Sequence, residues 1–292
     1  MIGAKDLVSG VVHLVSLPEV YARVRGLLDD PRARMQDFAS AISRDPALTA
    51  RLVKIANSAM FGCPGRVETV SRAVTLLGTQ QLHDLVLATS VARAFAGISP
   101  RWVDVQTFWR SSVYCGVVAR TLAAHCHVLD VERLFVEGLL RDIGHLVIYS
   151  QIPDQAGAAL QRATETGAPI AEVEREVLGF DYAEVGGELL RSWKVPETLH
   201  TAVRFHVDPE GAPGSLFETA IVHIAGVLTE AFATGVAGTG ATARVRRVAW
   251  DTSGLDAESA AAIAIEAAEG VNGTVELVVG TASASAAAST PR

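Results

Sequence analysis

Apolar residues recur at intervals of three and four along most of this chain, and that spacing limits the folds it can form. A clear case follows Asp45-Pro46, where Leu48, Leu52 and Ile55 share one face of a helix. Asp45 suits the N-cap position and Pro46 the first turn. No pattern of strands alternates with the helices, which excludes a parallel α/β sheet for the main body. The sequence therefore predicts an all-α protein.

The same spacing predicts helices on both sides of a break at residues 97–100, which read Gly-Ile-Ser-Pro. Before the break, Met35 to Ser43 is one short helix, and Gly78 suits the end of another, with Thr79 capping the next. After the break, we expect helices over Val105 to His125, Val131 to Tyr149, Asp154 to Thr166, Ile170 to Leu178, Tyr182 to Trp193, Pro196 to His206 and Leu216 to Thr234.

This pattern predicts four regions. Residues 1–97 form an N-terminal helical bundle, residues 98–235 a second helical subdomain and residues 236–280 a small C-terminal extension. Within the extension, Leu255 to Ala268 reads as a helix and Thr274 to Val279 as a short strand. Residues 281–292, rich in Ser and Ala without large apolar side chains, are expected to be disordered.

Charge and cysteine content narrow the function classes. A net charge of −7 argues against binding to nucleic acid or to an anionic membrane, and the one basic cluster (Arg244, Arg246 and Arg247) is too small to reverse this. The apolar runs are too interrupted for a membrane span, and the start has no secretory pattern. Three cysteines without a C-x-x-C pair fit a reducing compartment, so we expect a cytoplasmic protein.

One stretch, Val136 to Leu146, sets Asp142 beside an apolar helical face. A carboxylate in such a place needs a partner, because burying an unpaired charge costs several kcal/mol. That partner is either a metal ion, as in a hydrolase, or another protein group such as Arg141 or an arginine of a neighbouring helix. His145, three residues further on, is placed to bond to Asp142.

Four stretches together resemble the HDOD family, the HD-related output domain of bacterial signalling proteins. They read SRDPALTARLVKIANSA at residues 43–59, VSRAVTLLG at 70–78, GLLRDIG at 138–144 and GFDYAEVGGELLRSWKVP at 179–196. They follow the family's order over roughly residues 12–230. The resemblance implies an all-α bundle packed on a degenerate HD-type helical domain.

The resemblance also implies where a metal site would lie. Working HD phosphohydrolases hold one or two divalent metals with several imidazoles and carboxylates. In this sequence the family's ligand positions carry Ser111, Arg141, Asp142, Tyr182, His206, Val207 and Gly226. Only Asp142 and His206 are suitable ligands, and a guanidinium at position 141 offers no lone pair and repels a cation. We therefore expect no metal centre, no cofactor and no enzymatic activity.

The leading hypothesis is a non-catalytic signalling module that binds a protein partner or a small regulatory ligand. A groove between the two subdomains is the expected contact, lined by Asn57, Ser58, Arg141, Asp142 and His206. Helix capping is the simpler interpretation of Asn57-Ser58. One alternative function is a metal-dependent phosphohydrolase or phosphodiesterase. A cyclic-dinucleotide sensor is another, although the sequence shows no arginine-rich motif for it.

The remaining histidines point to structural roles. Adjacent residues on a helix diverge by about 100°, so His125-Cys126-His127 cannot easily share one metal ion. His83 and His223 lie in apolar helical patterns and are expected to be hydrogen-bonded core or boundary residues.

Overall fold

The computed structural model describes residues 3–12, 15–58, 66–98, 100–236 and 238–279. Over these ranges the chain is helical without strands, which confirms the predicted all-α class. The α-helices of the described part are, in order, α1 (Ala4–Val11), α2 (Glu19–Leu28), α3 (Met35–Ser43), α4 (Pro46–Ala56), α5 (Val70–Ala94), α6 (Val105–His125), α7 (Val131–Leu140), α8 (Ile143–Gln151), α9 (Pro153–Thr166), α10 (Ile170–Leu178), α11 (Tyr182–Ser192), α12 (Glu197–Phe205), α13 (Leu216–Ala233), α14 (Arg247–Ser253) and α15 (Ala257–Val279). Two 3-10 turns lie at Pro209–Gly211 and Gly238–Thr242.

The chain divides into two compact units. Among the described residues, one unit combines those up to Ser16 with those from Ile98 to Glu269, and the other combines those from Leu17 to Gly97 with those from Gly270 onward. The first helix groups with the larger unit, and α15 contributes residues to both units. The predicted disordered tail, residues 281–292, lies outside the described residues.

The smaller unit contains α2 to α5. Asp45 caps α4 as predicted, because its Oδ1 accepts from the main-chain nitrogens of Ala47 at 3.1 Å and Leu48 at 3.0 Å. Gly78 interrupts α5 with a φ of +81°, which only glycine adopts without strain. The expected change of helix at Gly78 is therefore present as a kink between two helical segments.

In the larger unit, α6 and α7 approach closely through two glycines. A Cβ atom at Gly138 would lie 2.9 Å from the carbonyl oxygen of Cys115, and one at Gly116 would lie 2.6 Å from that of Phe135. No side chain fits at either position without a shift of backbone, so this crossing requires glycine. This close contact fixes the position of α7, and with it that of Arg141 and Asp142, which follow its last residue.

Two sequence predictions need correction. The expected single helix from Val131 to Tyr149 is two helices, which meet at Arg141 and Asp142. The expected strand from Thr274 to Val279 is helical and continues α15. Its buried residues Val271, Thr274 and Val278 are spaced by three and four, so packing on one helical face overrides their local strand preference.

Helix α13 is the one helix in the described ranges that is long and apolar enough to cross a membrane by composition. More than half of it, 56%, is buried inside the protein, where it packs on α6, α7, α12 and α14. Its apolar surface is therefore explained by its position in the core of the larger unit.

Candidate functional site

The buried Arg141 and the partly buried Asp142 form an ion pair in the break between α7 and α8. Nη2 of Arg141 lies 2.7 Å from Oδ2 of Asp142, and the arginine is only 3% exposed. Burial alone would lower the pKa of this guanidinium, but the surrounding acidic groups, Asp142 first among them, together outweigh burial and raise the pKa above its usual value. Asp142 thus has a protein partner, and of the arginines that the sequence left open the structure places Arg141 against it.

Gly226 on α13 leaves the space for this guanidinium. A Cβ atom built at position 226 would lie 2.6 Å from Nη1 of Arg141, closer than any ordinary contact. The same Nη1 lies 3.7 Å from Oε1 of Glu230, one turn further along α13. The Arg141 side chain therefore extends from Asp142 toward α13, across the backbone of Gly226.

Tyr182 and His206 adjoin the pair and are joined by a hydrogen bond of 3.2 Å between the phenol oxygen and Nε2. Nδ1 of His206 donates to the carbonyl of Val203 at 2.7 Å, so Nε2 is left as the acceptor and the tyrosine hydroxyl donates. Burial, with a further contribution from Arg141, lowers the pKa of His206 to about 4. Burial also holds the pKa of Tyr182 well above its usual value.

His223 extends this network to the far side of His206. Its Nδ1 donates to the main-chain oxygen of His206 at 2.6 Å, and its Nε2 accepts from the main-chain nitrogen of Arg246 at 3.0 Å. Burial lowers the pKa of His223. Both of its ring nitrogens are used by backbone groups, as expected for a hydrogen-bonded core residue.

His145 does not bond to Asp142 through its side chain, contrary to expectation. Its ring stacks on Tyr182 with centroids 3.8 Å apart, and Nε2 lies 3.4 Å from Oε1 of Glu174. The other oxygen of Glu174 accepts from the main-chain nitrogen of Tyr182 at 2.8 Å. Glu174, buried on α10, thus holds both the start of α11 at Tyr182 and the imidazole of His145 that stacks on Tyr182.

The other ligand positions that the resemblance implies, Ser111 and Val207, make no hydrogen bond or ion pair with Arg141, Asp142, Tyr182 or His206 among the contacts that the structure describes. Ser111 is half-buried on α6 and does not line the pocket described below. One turn further along, Cys115 is fully buried, and burial raises the pKa of its thiol to about 11, with smaller effects from Arg141 and Asp142. Val207 contributes an apolar wall at the end of α12.

A pocket of about 430 Å³ opens beside this cluster, entirely within the larger unit. Arg141, Tyr182 and His206 form its buried wall. The remaining lining residues are Pro169, Ile170, Ala171, Glu172, Arg175, Val207, His223, Gly226, Val227, Glu230, Arg244 and Arg246. The pocket therefore combines apolar surface with four arginines and two glutamates.

Asn57 and Ser58 belong to the smaller unit, where they line a different and shallower depression. The Asn57 amide nitrogen donates to the carbonyls of Val53 at 2.8 Å and Val67 at 2.6 Å, and its oxygen accepts from the Val67 nitrogen at 2.8 Å. Ser58 donates to the carbonyl of Ile55 at 2.7 Å. Both side chains bond the backbone, which favours the capping interpretation.

The other candidate ligands have structural contacts. Nδ1 of His125 lies 3.0 Å from the carbonyl of Thr121, and the Cys126 thiol lies 3.5 Å from that of Ser253. His83 is buried in the smaller unit, with Nδ1 2.9 Å from Oδ1 of Asp84. Within the described ranges, no group of three or more His, Cys, Asp or Glu side chains is arranged to hold a metal ion.

The sequence did not mark several charged members of the site, among them Glu174, Glu230 and Arg244. Glu174 and Glu230 have an ordinary charged-helix context, and no local pattern marks them as part of a site. Arg244 was visible within a short basic cluster, but only the fold brings that cluster to the mouth of the pocket.

Solved structures of similar fold include a candidate phosphohydrolase from Shewanella amazonensis SB2B, 26% identical, with a TM-score of 0.72 and coverage of 94% of this chain and 97% of that one. An HDOD domain protein of unknown function from Geobacter sulfurreducens is 20% identical, with a TM-score of 0.73 and coverage of 94% and 98%. Because that identity is low, the Geobacter likeness concerns the fold alone.

An uncharacterised protein from Treponema pallidum (strain Nichols) is 25% identical over 211 residues. The match takes in 72% of this chain but only 40% of that protein's length. The model of the HDOD domain matches residues 14–209, which is more than half of the chain and includes all four motifs. The chain therefore belongs to the HDOD domain family.

Proposed function

We propose that this protein is a non-catalytic regulatory module that acts in cytoplasmic signalling by binding a protein partner or a small ligand. The observation that carries the proposal is the position of Arg141. Its buried guanidinium lies 2.7 Å from Asp142 and against Gly226, two of the positions at which the HD pattern would supply metal ligands. A protein cation pairs with the carboxylate that a metal cation would need.

The residues at these positions do not fit a divalent metal. One oxygen of Asp142 is bound by the guanidinium, and the free lone pair of His206 accepts from Tyr182. Gly226 and Val207 offer no side-chain donor, and Arg141 adds a positive charge that repels a second cation. Two ligands that are already engaged cannot fix a site that needs four or more.

The competing function is a metal-dependent phosphohydrolase or phosphodiesterase. The Shewanella relative, described as a candidate phosphohydrolase, is the reason to test it. Such an enzyme would need ligands other than those of the HD pattern, because position 141 here is an arginine.

The test is elemental analysis of the purified chain combined with a phosphodiester hydrolysis assay in the presence of Mn²⁺, Fe²⁺, Ni²⁺ or Mg²⁺. We expect less than stoichiometric metal and no turnover above that of the Asp142→Ala variant. Stoichiometric metal together with turnover that Asp142→Ala abolishes would overturn the proposal. Circular dichroism of both proteins confirms that the comparison is between folded chains.

A further inference from the structure

We propose that the pocket beside Arg141 binds a small phosphorylated metabolite, whose phosphoryl group lies between Arg141 and Arg244. This inference rests on the proposed function, because it assigns a ligand class to the same site. The basic cluster of Arg244, Arg246 and Arg247 has no role in the proposed function as stated, and two of its members line this pocket.

The position of Glu230 suggests where the anion binds. Its Oε1 lies 3.7 Å from Nη1 of Arg141, and its Oε2 lies 3.6 Å from Nη1 of Arg244. One carboxylate thus bridges two guanidinium groups, yet both distances exceed the range of about 2.7–3.2 Å for a hydrogen bond. Glu230 therefore offsets part of the positive charge of both arginines without making a close hydrogen bond to either. A ligand anion can take the place of its carboxylate.

Arg141 has donor capacity to spare. It is 3% exposed, its Nη2 is used by Asp142, and its Nε has no hydrogen-bond partner among the residues that the structure describes. A buried guanidinium donor without a partner is costly, so a ligand oxygen that reaches it gains a charge-assisted hydrogen bond. Arginine also matches the geometry of a phosphoryl group better than lysine does.

The rim strengthens the positive side of the pocket. Arg246 is paired with Glu210 only loosely, at 3.6 Å, and remains partly exposed. Arg175 is held more tightly, because its Nε donates to Asp181 at 2.7 Å, so we assign it a supporting role. Two of the three rim arginines can therefore turn toward an anion without breaking a close hydrogen bond.

The volume and walls indicate what carries the phosphoryl group. About 430 Å³ falls in the range of about 300–1,000 Å³ that is typical of small-molecule sites. Pro169, Ile170, Val207 and Val227 provide apolar surface beside the arginines. A site for a free ion would need no such surface, which favours a phosphorylated organic molecule of nucleotide size.

The test is calorimetric titration of the full chain in EDTA-containing buffer, first with inorganic pyrophosphate and then with adenosine diphosphate. We expect saturable binding that weakens with salt, and tighter binding of the nucleotide because its body packs on the apolar wall. Arg244→Gln should weaken pyrophosphate binding at least about tenfold, since it removes a charge-assisted contact. Glu230→Gln should strengthen binding several-fold, since it removes the competing carboxylate.

Arg247→Gln is the matched control. Arg247 belongs to the same basic cluster, but its side chain is 92% exposed, is paired with Asp251 and does not line the pocket. No saturable heat up to about 10 mM pyrophosphate, equal losses in Arg244→Gln and Arg247→Gln, or a nucleotide that binds no tighter than pyrophosphate would each overturn the inference. Because EDTA removes metal, these outcomes do not depend on the hydrolysis assay that tests the proposed function.

Discussion

Gly226 leaves the space that the Arg141 guanidinium occupies, since a Cβ atom at position 226 would lie 2.6 Å from Nη1. Gly226 lies in α13 and Arg141 in the break between α7 and α8, and the guanidinium fits because position 226 carries no side chain. The proposed function treats both as ligand positions of the HD pattern, one carrying a cation and the other no side chain. The absence of a side chain at position 226 explains how this buried positive charge is accommodated.

Gly226→Ala should destabilise the protein by about 1–3 kcal/mol, because the added methyl group overlaps with the guanidinium. In an Arg141→Met background the same change should cost less, since the clashing atoms are gone. Chemical denaturation of the four proteins of this cycle measures the coupling.

Gly26→Ala is the control for the Gly226 cycle. Gly26 lies in α2, and a Cβ atom there would meet nothing within 4 Å. This change should be neutral or slightly stabilising. An equal cost of Gly226→Ala in both arginine and methionine backgrounds would show that the guanidinium is not what the methyl group meets.

Asp142→Ala should lower the free energy of unfolding by about 3–5 kcal/mol, because it leaves the Arg141 charge buried with only the distant Glu230 carboxylate. Asp251→Ala removes the partner of exposed Arg247 and should cost less than about 1 kcal/mol. Thermal melting of the two variants checks the contrast. Unchanged stability in Asp142→Ala together with loss of bound metal would contradict a structural role for Asp142.

The buried imidazole of His206 should make the fold sensitive to acid. Its pKa is about 4 in the folded protein and about 6.5 in an unfolded chain, so between these values the unfolded chain binds the extra proton. Stability from this group is therefore complete above pH of about 6.5 and falls by up to about 1.4 kcal/mol per pH unit toward pH 4. His223, whose pKa is also lowered, acts in the same direction.

Denaturant titrations of wild type and His206→Gln between pH 7 and pH 4.5 measure this dependence. The variant should be less stable at pH 7, because the bonds to Tyr182 and Val203 are altered, but its stability should fall less steeply with acid. Parallel curves for the two proteins would show that His206 does not titrate as the structure implies.

Asn57→Ala should destabilise the smaller unit by about 1–3 kcal/mol, because the main-chain nitrogen and carbonyl of Val67 lose the side chain that bonds both of them. Ser58→Ala loses a single bond to Ile55 and should cost about 0.5–1.5 kcal/mol. Hydrogen exchange at the Val67 amide locates the effect. Wild-type protection at Val67 in Asn57→Ala would refute the capping interpretation.

Much of the fold was predictable from apolar spacing, because packing on one helical face sets the pattern directly. The Asp45 cap and the kink at Gly78 are cases in which a residue type also defines the backbone. The break at Arg141 was not predictable in this way. Leu139, Leu140 and Ile143 keep their periodicity across it, and two residues are too few to disturb the pattern.

The sequence was enough to name several residues of the candidate site, but not to predict which of their side chains contact one another. The motif order indicated that Arg141, Asp142, Tyr182, His206 and Gly226 belong to one region. The fit of Arg141 against Gly226 and the placement of Arg244 at the pocket depend on contacts between helices distant in sequence. No local pattern records such contacts, so they require the three-dimensional structure.

The most direct test of the central claim compares Mn²⁺ binding by wild type and by the triple variant Arg141→His, Tyr182→His, Gly226→Asp. Binding is measured from the loss of the electron paramagnetic resonance signal of free Mn²⁺. The variant removes the positive charge of Arg141 and places ligand-type side chains at three positions, so it should bind Mn²⁺ at least about tenfold more tightly than wild type. Wild type should leave the signal of free Mn²⁺ unchanged at equimolar concentration. Stoichiometric Mn²⁺ binding by wild type that Asp142→Ala abolishes would contradict the claim that Arg141 takes the place of a metal.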